Sequence, residues 1–596
     1  MSKALQWKLK PVLLSIVFSF ICIYIILKFS TREEKQNQLP IIGYDSENLF
    51  SEVYNYQHVK NELVVWDEPT GISNQSSPGE QGIAVVTSPE DYGKRNQAYT
   101  LYGFNQFTSD KISFNRSLPD PRPQECKITK YQSRLPTVSV VIIFHNEGWS
   151  TLLRTVHSVL NRSPSKLLHE IILCDDYSQK EHLKKQLEDY IIPYPKIKLV
   201  RTSEREGLIR ARVHGANHAN GDIIIFLDSH CEANVGWLPP LVSEIEKNYR
   251  CVTCPTVDFI DHDSFYYRGV DPYIRGTFNW RFDYKERGIT EHQKAARKSV
   301  TEGVRSPVMA GGLFAISKKF WEELGKYDPG MYVWGGEQYE ISFKLWMCGG
   351  EMLNMPCSRV GHVYRRNVPY TYNKPFASLI NFKRVAEVWM DEFKEFLYRG
   401  NPMVRSQNAG NISERIKVRE RNKCKSFKWY LLNVANDTVR TRYEPDRASG
   451  EIENTHTKLC LDTYGANAGR KIKLSKCGQR NSNQIFRWTY IYELHQYPEE
   501  CLDARYADMD NVYIEKCHEM GGNQKFLYDK DTNQIKHSGT GLCLSVPNED
   551  SPTHPVIEAC DLKSVRQLWK IQLSKDSTIP EWAKIAEDLP LRPIPP

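Results

Sequence analysis

The last third of the chain repeats itself. Cys460-Leu461-Asp462 returns as Cys501-Leu502-Asp503 and again as Cys543-Leu544-Ser545, 41 and then 42 residues on. Each unit carries a second cysteine 16 or 17 residues later, at Cys477, Cys517 and Cys560. Each closes on Gln-x-aromatic: Gln484-Ile485-Phe486, Gln524-Lys525-Phe526 and Gln567-Leu568-Trp569. A unit of this length cannot bury its apolar face alone, so three must pack around a shared core that holds the Gln-x-aromatic side chains. The simplest disulfide scheme is one bridge within each unit, 460–477, 501–517 and 543–560; sequence alone leaves other pairings open.

A chain of 596 residues needs at least one further core. From Thr137 onward the pattern alternates. The apolar run 138–144 ends in His145-Asn146-Glu147 and precedes a helical stretch at 151–160. The run 170–174 ends in Asp175-Asp176, a short strand follows at 197–201, and 207–219 reads as a helix rich in Ala and Arg. Asp222 to Leu227 is then a buried strand that runs into Asp228-Ser229-His230. Strands alternating with helices imply βαβ units and a parallel sheet covered on both faces. Neither G-x-G-x-x-G nor a P-loop is present.

Asp176 and Asp228 thus stand at the carboxyl ends of two strands, where open α/β sheets bind ligands. Residues two apart in extended backbone point the same way. Asp228 and His230 would therefore share one divalent metal and leave coordination positions for a phosphate-bearing substrate. Taken alone, such a triplet more often means a turn aspartate beside a solvated histidine. Residues 376–400 show helical spacing (Phe376, Leu379, Ile380, Phe382, Ala386, Trp389) and read as a helix packed on the core, with no chemistry assigned. Cys251 and Cys254 form a C-x-x-C with no second pair, which argues for a structural role rather than zinc.

The net charge of +7 comes without a basic stripe interleaved with aromatics, so nothing points to nucleic acid. Residues 11–27 are uncharged and apolar, with Lys3, Lys8 and Lys10 before them. At 17 residues the run is at the short end for a spanning helix. It is long for a signal-peptide core, and no small-x-small cleavage site follows it. We expect a signal-anchor with residues 1–10 cytoplasmic and the bulk of the chain lumenal. Asn-x-Ser/Thr acceptors at Asn74, Asn115, Asn161, Asn411 and Asn436 agree, although Pro164 makes Asn161 a poor one. Fifteen cysteines suit an oxidising lumen. Residues 28–110, with little periodicity, read as a stem.

In their order, the segments IIFHNEGWSTLLRTVHSVL, EIILCDDYS, REGLIRARVHGA, FLDSHCE, MAGGLFAIS, VWGGEQYEISFKLWMCGG and PCSRVGHVYR resemble the polypeptide N-acetylgalactosaminyltransferases. The resemblance runs from about Cys126 to Ile571. It implies a GT-A catalytic domain over 111–425, a linker at 426–454, a ricin-type β-trefoil lectin domain over 455–573 and a tail at 574–596. It also implies a single-pass type II Golgi membrane enzyme that uses UDP-GalNAc and modifies Ser/Thr of peptides or GalNAc-bearing glycopeptides.

By position, the resemblance makes Asp228, His230 and His362 the ligands of Mn2+. Asp176 and Arg205 would contact uridine and sugar, with Ser229 at the same site. Trp334 belongs to the sugar-binding loop, and Glu337 and Arg365 are the candidate catalytic residues. Arg365 and Tyr370 would lie in a loop that closes over the donor. Ile143 replaces the family's threonine beside the uracil, so a hydroxyl contact there is lost. Gln338 stands where many members carry asparagine, and Glu-Gln-Tyr-Glu resembles the branch that prefers already glycosylated peptides. Cys126–Cys357 and Cys348–Cys424 fit family disulfides. In the lectin domain the implied sugar sites are Asp462 with Asn483, and Asp503 with Asn523 and His518. The third unit has Ser545 and Arg566 in those places and is expected to be silent. The competing reading is a weak or inactive relative that acts as a GalNAc-binding lectin.

Overall fold

The computed structural model describes residues 62–66, 76–586 and 589, apart from 290, 370–373, 437, 440–445, 466–467, 479–481, 497–499, 506–510, 519–520, 548–552 and 574–579. The expected anchor at 11–27, most of the stem, Asn74 and Tyr370 lie outside the described residues. No helix among the described residues is long and apolar enough to cross a membrane.

The part of the chain that carries the βαβ pattern, the expected catalytic half, is built on one large sheet. Its strands are β1 (Val138–Phe144), β2 (Leu168–Asp175), β3 (Ile197–Arg201), β4 (Ile223–Asp228), β5 (Cys231–Ala233), β6 (Cys251–Ile260) and β7 (Tyr267–Arg268). A separate hairpin of β8 (Ile274–Phe278) and β9 (Tyr284–Gly288) follows, then β10 (Val304–Arg305), β11 (Phe314–Ser317) and β12 (Glu351–Val363). The order across the sheet is β10–β12–β6–β11–β4–β1–β2–β3. β4, β1, β2 and β3 are parallel, as the alternation of strands and helices implies. The sheet as a whole is mixed, because β11 runs antiparallel to β4 and β6, and β12 antiparallel to β5. A four-residue apolar run carries no mark of its direction, so this departure from an all-parallel sheet had no signal in the sequence.

Alternation along the strands feeds two cores. Val141, Ile143, Ile224 and Phe226 face one core, and Val140, Ile142, Ile225 and Leu227 the other. Helices α1 (Trp149–Arg162) and α3 (Leu238–Lys247) cover the second face. Helices α2 (Leu208–Asn217), α4 (Glu337–Met347) and α5 (Ala377–Trp389) cover the first, followed by α6 (Lys394–Gly400) and α7 (Phe427–Asn433).

Three expected boundaries move. Residues 76–110, assigned to a stem, carry a helix at Tyr92–Tyr102 and seat Phe104, fully buried, against Phe265. Arg95 pairs with Asp263 at 2.6 Å. The start of the expected linker is α7, whose Phe427 and Tyr430 lie in the catalytic core, and its end, Ala448–Asn454, is a strand of the repeat domain. The expected tail returns to the catalytic core through Ala583, Ala586 and Leu589. Residues 76–110 and the tail are locally polar, and α7, although apolar at Phe427, Trp429, Tyr430, Leu431 and Leu432, is too short to declare where it packs.

The repeats share one core. Leu461, Leu502 and Leu544 meet Phe486, Phe526 and Trp569 there. The glutamine before each aromatic is buried and donates its amide across its own unit, Gln484 to Asp462 at 3.0 Å and Gln524 to Asp503 at 2.9 Å. The chain forms the five disulfides Cys126–Cys357, Cys348–Cys424, Cys460–Cys477, Cys501–Cys517 and Cys543–Cys560. Cys251 and Cys254 are buried free thiols on β6.

Candidate functional site

The parallel strands deliver their carboxyl ends to one edge. β1 ends beside β4 with Ile143 opposite Asp228, and beside β2 with Phe144 opposite Asp175. His362 arrives from a distant segment through strand pairing. β12 pairs with β5 so that His362 lies opposite Cys231, and the Val363 amide donates to the His230 carbonyl at 3.0 Å. Ligand atoms of Asp228, His230 and His362 consequently lie within 4.8 Å of one another.

These residues fit a divalent cation. His362 Nε2 is 3.3 Å from Asp228 Oδ2, while its Nδ1 is buried without a hydrogen-bond partner. His230 Nδ1 is 3.0 Å from Glu147 Oε2; donation there leaves Nε2 with a free lone pair. One carboxylate and two imidazoles form an oxygen and nitrogen donor set of the kind Mn2+ accepts. Burial pushes the Asp228 carboxyl up, but the His362 hydrogen bond and the Arg212 guanidinium outweigh it and hold the group well below the usual range.

Two residues given no role by sequence organise this site. Glu147, almost fully buried, accepts hydrogen bonds from Ser229 Oγ at 2.7 Å and Arg365 at 2.7 Å as well as facing His230. Burial opposes its charge, yet Arg365, His230 and Ser229 together hold its pKa at about 2. Arg212 on α2 lies 3.2 Å from Asp228 Oδ1 and 3.8 Å from Glu337 Oε1, so one buried guanidinium serves two carboxylates. Gly312 lies directly over Asp228: a Cβ there would sit 2.9 Å from Oδ2, and its φ is +93°.

A cleft of about 320 Å³ opens beside the triplet. It is lined by Ile143, Asp176, Arg205, Asp228, Ser229, His230, Trp334, His362, Tyr364 and Arg365 among others. Asp176 is fully buried, pairs with Arg205 and accepts the amides of Glu206 and Gly207 at 2.8 and 2.9 Å. Trp334 is half exposed at the rim. Glu337 does not line this cleft. It is 3% exposed, accepts the Gly335 amide at 2.7 Å, and burial raises its pKa. The segment before it is held by Asn381 of α5, which donates to the carbonyls of Tyr332 and Gly335 at 2.8 and 2.7 Å. The helix expected to carry no chemistry therefore positions the Trp334–Glu337 segment.

The repeat domain offers unequal sites. In the second unit Asp503 is buried and accepts Asn523 at 2.6 Å and Gln524 at 2.9 Å through Oδ2, while Oδ1 has no hydrogen-bond partner. His518 Nε2 lies 3.2 Å from Asn523 Oδ1. In the first unit both Asp462 oxygens are occupied: Oδ1 accepts the Tyr464 amide and Oδ2 accepts Ser475 and Gln484. Asn483 offers its backbone carbonyl to Thr463. In the third unit Ser545 donates to Glu558 at 2.6 Å and Arg566 pairs with the same carboxylate at 3.1 Å.

Residues 139–321 match the family model for glycosyl transferase family 2, and residues 448–569 the ricin-type beta-trefoil lectin domain. The chain is 45% identical over 517 residues to polypeptide N-acetylgalactosaminyltransferase 10 of Homo sapiens, covering 84% of each chain. The chain belongs to the polypeptide N-acetylgalactosaminyltransferases. It is also 42% identical to the probable N-acetylgalactosaminyltransferase 7 of Caenorhabditis elegans, over 89% of this chain and 88% of that one. A crystal structure of GalNAc-T7 with UDP, GalNAc and Mn2+ superimposes with a TM-score of 0.63 at 39% identity, over 86% of this chain and 95% of the other. This transferase therefore joins a GT-A glycosyltransferase domain to a ricin-type β-trefoil.

Proposed function

We propose that the chain transfers GalNAc from UDP-GalNAc to Ser/Thr hydroxyls of proteins or glycopeptides with retention of configuration, starting or extending mucin-type O-glycosylation. The convergence of Asp228, His230 and His362 at the mouth of the cleft carries this reading. Those three residues would hold Mn2+, which would supply a Lewis acid for the charge of the donor diphosphate. Asp176 and Arg205 bind the uridine end, Ser229 lies beside the diphosphate, and Trp334 with Gly335 and Gly336 receives the sugar.

For the retaining transfer that the family resemblance implies, the placement of Glu337 favours same-face attack over double displacement. Glu337 is buried, turned to the Gly335 amide and absent from the cleft lining, so it is poorly placed as a nucleophile. The acceptor hydroxyl instead attacks on the face the diphosphate leaves. The sugar–phosphate bond breaks as the new glycosidic bond forms, and the hydroxyl proton passes to the departing phosphate oxygen. Arg365 offsets the charge growing on that leaving group. In the lectin domain Asp503, Asn523 and His518 bind GalNAc. Asp503 Oδ1 is a buried acceptor with an unmet bond, which a sugar hydroxyl would satisfy. We assign the enzyme to the Golgi membrane, anchored through residues 11–27 with both domains lumenal.

The test is an assay with UDP-GalNAc and Mn2+, offering unmodified and GalNAc-bearing peptides to wild type and Asp228→Ala. Wild type transfers and the variant does not. Hydrolysis of UDP-GalNAc with no transfer to any peptide would overturn the transferase reading and favour a lectin role.

A further inference from the structure

The β8–β9 hairpin lies between the two domains' binding features. Its register pairs Gly276 with Glu286 and Phe278 with Tyr284, and sets Thr277 against Lys285 and Arg275 against Arg287. Because side chains alternate across a strand, these two sets occupy opposite faces. Ile274, Tyr284 and Glu286 line a second cavity of about 320 Å³, which shares Tyr364 with the donor cleft. Lys285 and Arg287, on the other face, reach the trefoil. Lys285 Nζ donates to the Cys517 carbonyl at 3.3 Å, and Arg287 to the His518 carbonyl at 3.5 Å.

Those two carbonyls belong to the loop that carries His518 of the second-unit sugar site. The His518 amide in turn donates to Gln524 Oε1 at 3.1 Å, and Gln524 holds Asp503. The hairpin itself is fixed to the catalytic core. The Gly276 amide donates to Ser306 Oγ at 2.8 Å, and Asn354 donates to the Ile274 carbonyl at 2.9 Å. One ribbon thus touches the sugar-site loop with one face and the cavity beside the donor cleft with the other.

We propose that Lys285 and Arg287 are specificity-determining residues. By fastening the 517–518 loop to the catalytic domain, they set how far along a glycopeptide the next GalNAc is added from one already held at Asp503. The inference rests on the transferase and lectin readings above. A sugar held in one module raises the local concentration of the acceptor only where the span between modules fits. A fixed geometry therefore selects one spacing, whereas a loose one averages over many. Neither residue lines the donor cleft or contributes to the trefoil's sugar site.

The test uses the full lumenal chain as wild type, Lys285→Ala/Arg287→Ala, Asp503→Ala and the triple variant. Acceptors are peptides with one GalNAc placed at increasing distance from a single free threonine. Acceptor-independent UDP-GalNAc hydrolysis and binding of free GalNAc serve as controls. Wild type should favour one spacing by about tenfold or more, and the double variant should flatten that profile with both controls unchanged. Asp503→Ala should flatten it as well, and the triple variant should show no further change. A profile in the double variant identical to wild type would overturn the proposal, as would flattening that persists equally in the Asp503→Ala background as an additional loss. Absence of any transfer by wild type would instead count against the transferase reading.

Discussion

Glu147 ties together three residues of the candidate site. Its carboxylate faces Ser229, His230 and Arg365, which lie 82, 83 and 218 residues away in the chain. Glu147→Gln keeps the size and removes the charge. Outer partners of metal ligands are worth about 10–100-fold in affinity, so Mn2+ binding measured by titration should weaken by that factor with the fold intact. Asp503 and Asp462 give a matched pair in the lectin domain. Only Asp503 has an unmet acceptor, and a hydrogen bond to a charged group is worth about 1.5–3 kcal/mol. Calorimetry should show GalNAc binding lost in Asp503→Ala and retained in Asp462→Ala. Two members of the proposed metal triplet, Asp228 and His230, could be read from one turn, whereas His362 entered only through the family resemblance. Glu147 and Arg212 could not be read, since a single Glu after a strand or Arg within a helix carries no mark of the partners that long-range packing brings to it.

At the scale of elements, register does the work. His362 reaches the site because β12 pairs with β5 opposite Cys231; a slip of one residue would turn its imidazole to the other face. The apolar runs that became β1 and β4 could be read directly, because alternation with helices fixes both their burial and their direction. The role of α5 could not, because helical spacing announces packing and says nothing of Asn381 holding the carbonyls before Glu337. α5 is braced in turn by Glu387, which bonds Lys394 at 2.6 Å and Tyr398 at 2.6 Å on α6. Burial opposes the Glu387 charge, but Lys394, Tyr398 and Lys383 hold its pKa at about 2, below the unfolded value of about 4.3. A depressed carboxyl pKa stabilises the fold above the unfolded value and loses that contribution as pH falls through the folded one. The Tm of Glu387→Gln should therefore lie below wild type at pH 6, and the gap should close between about pH 4.3 and 2.

For the whole molecule, the repeat and the βαβ alternation located two domains, while their borders depended on contacts that composition does not show. Residues 76–110, α7 and the segment near Ala583 give no local sign of where they belong; the first seats Phe104 in a small cluster with Ile260, Phe265 and Val363, and the other two pack on the catalytic core. The first of these matters for function, because Phe104 lies under Arg365, 5.6 Å from its guanidinium, and beside His230. Segments from nearly the whole catalytic half are thus gathered around one proposed metal site, with His362 134 residues from Asp228. The proposed activity depends on that convergence. Its most direct test is an electron paramagnetic resonance titration of Mn2+ in the presence of UDP, comparing wild type with His362→Ala. Wild type should bind one ion tightly per chain, and the variant, with thermal unfolding otherwise intact, should lose it. An unchanged stoichiometry and affinity in His362→Ala would contradict the proposed site.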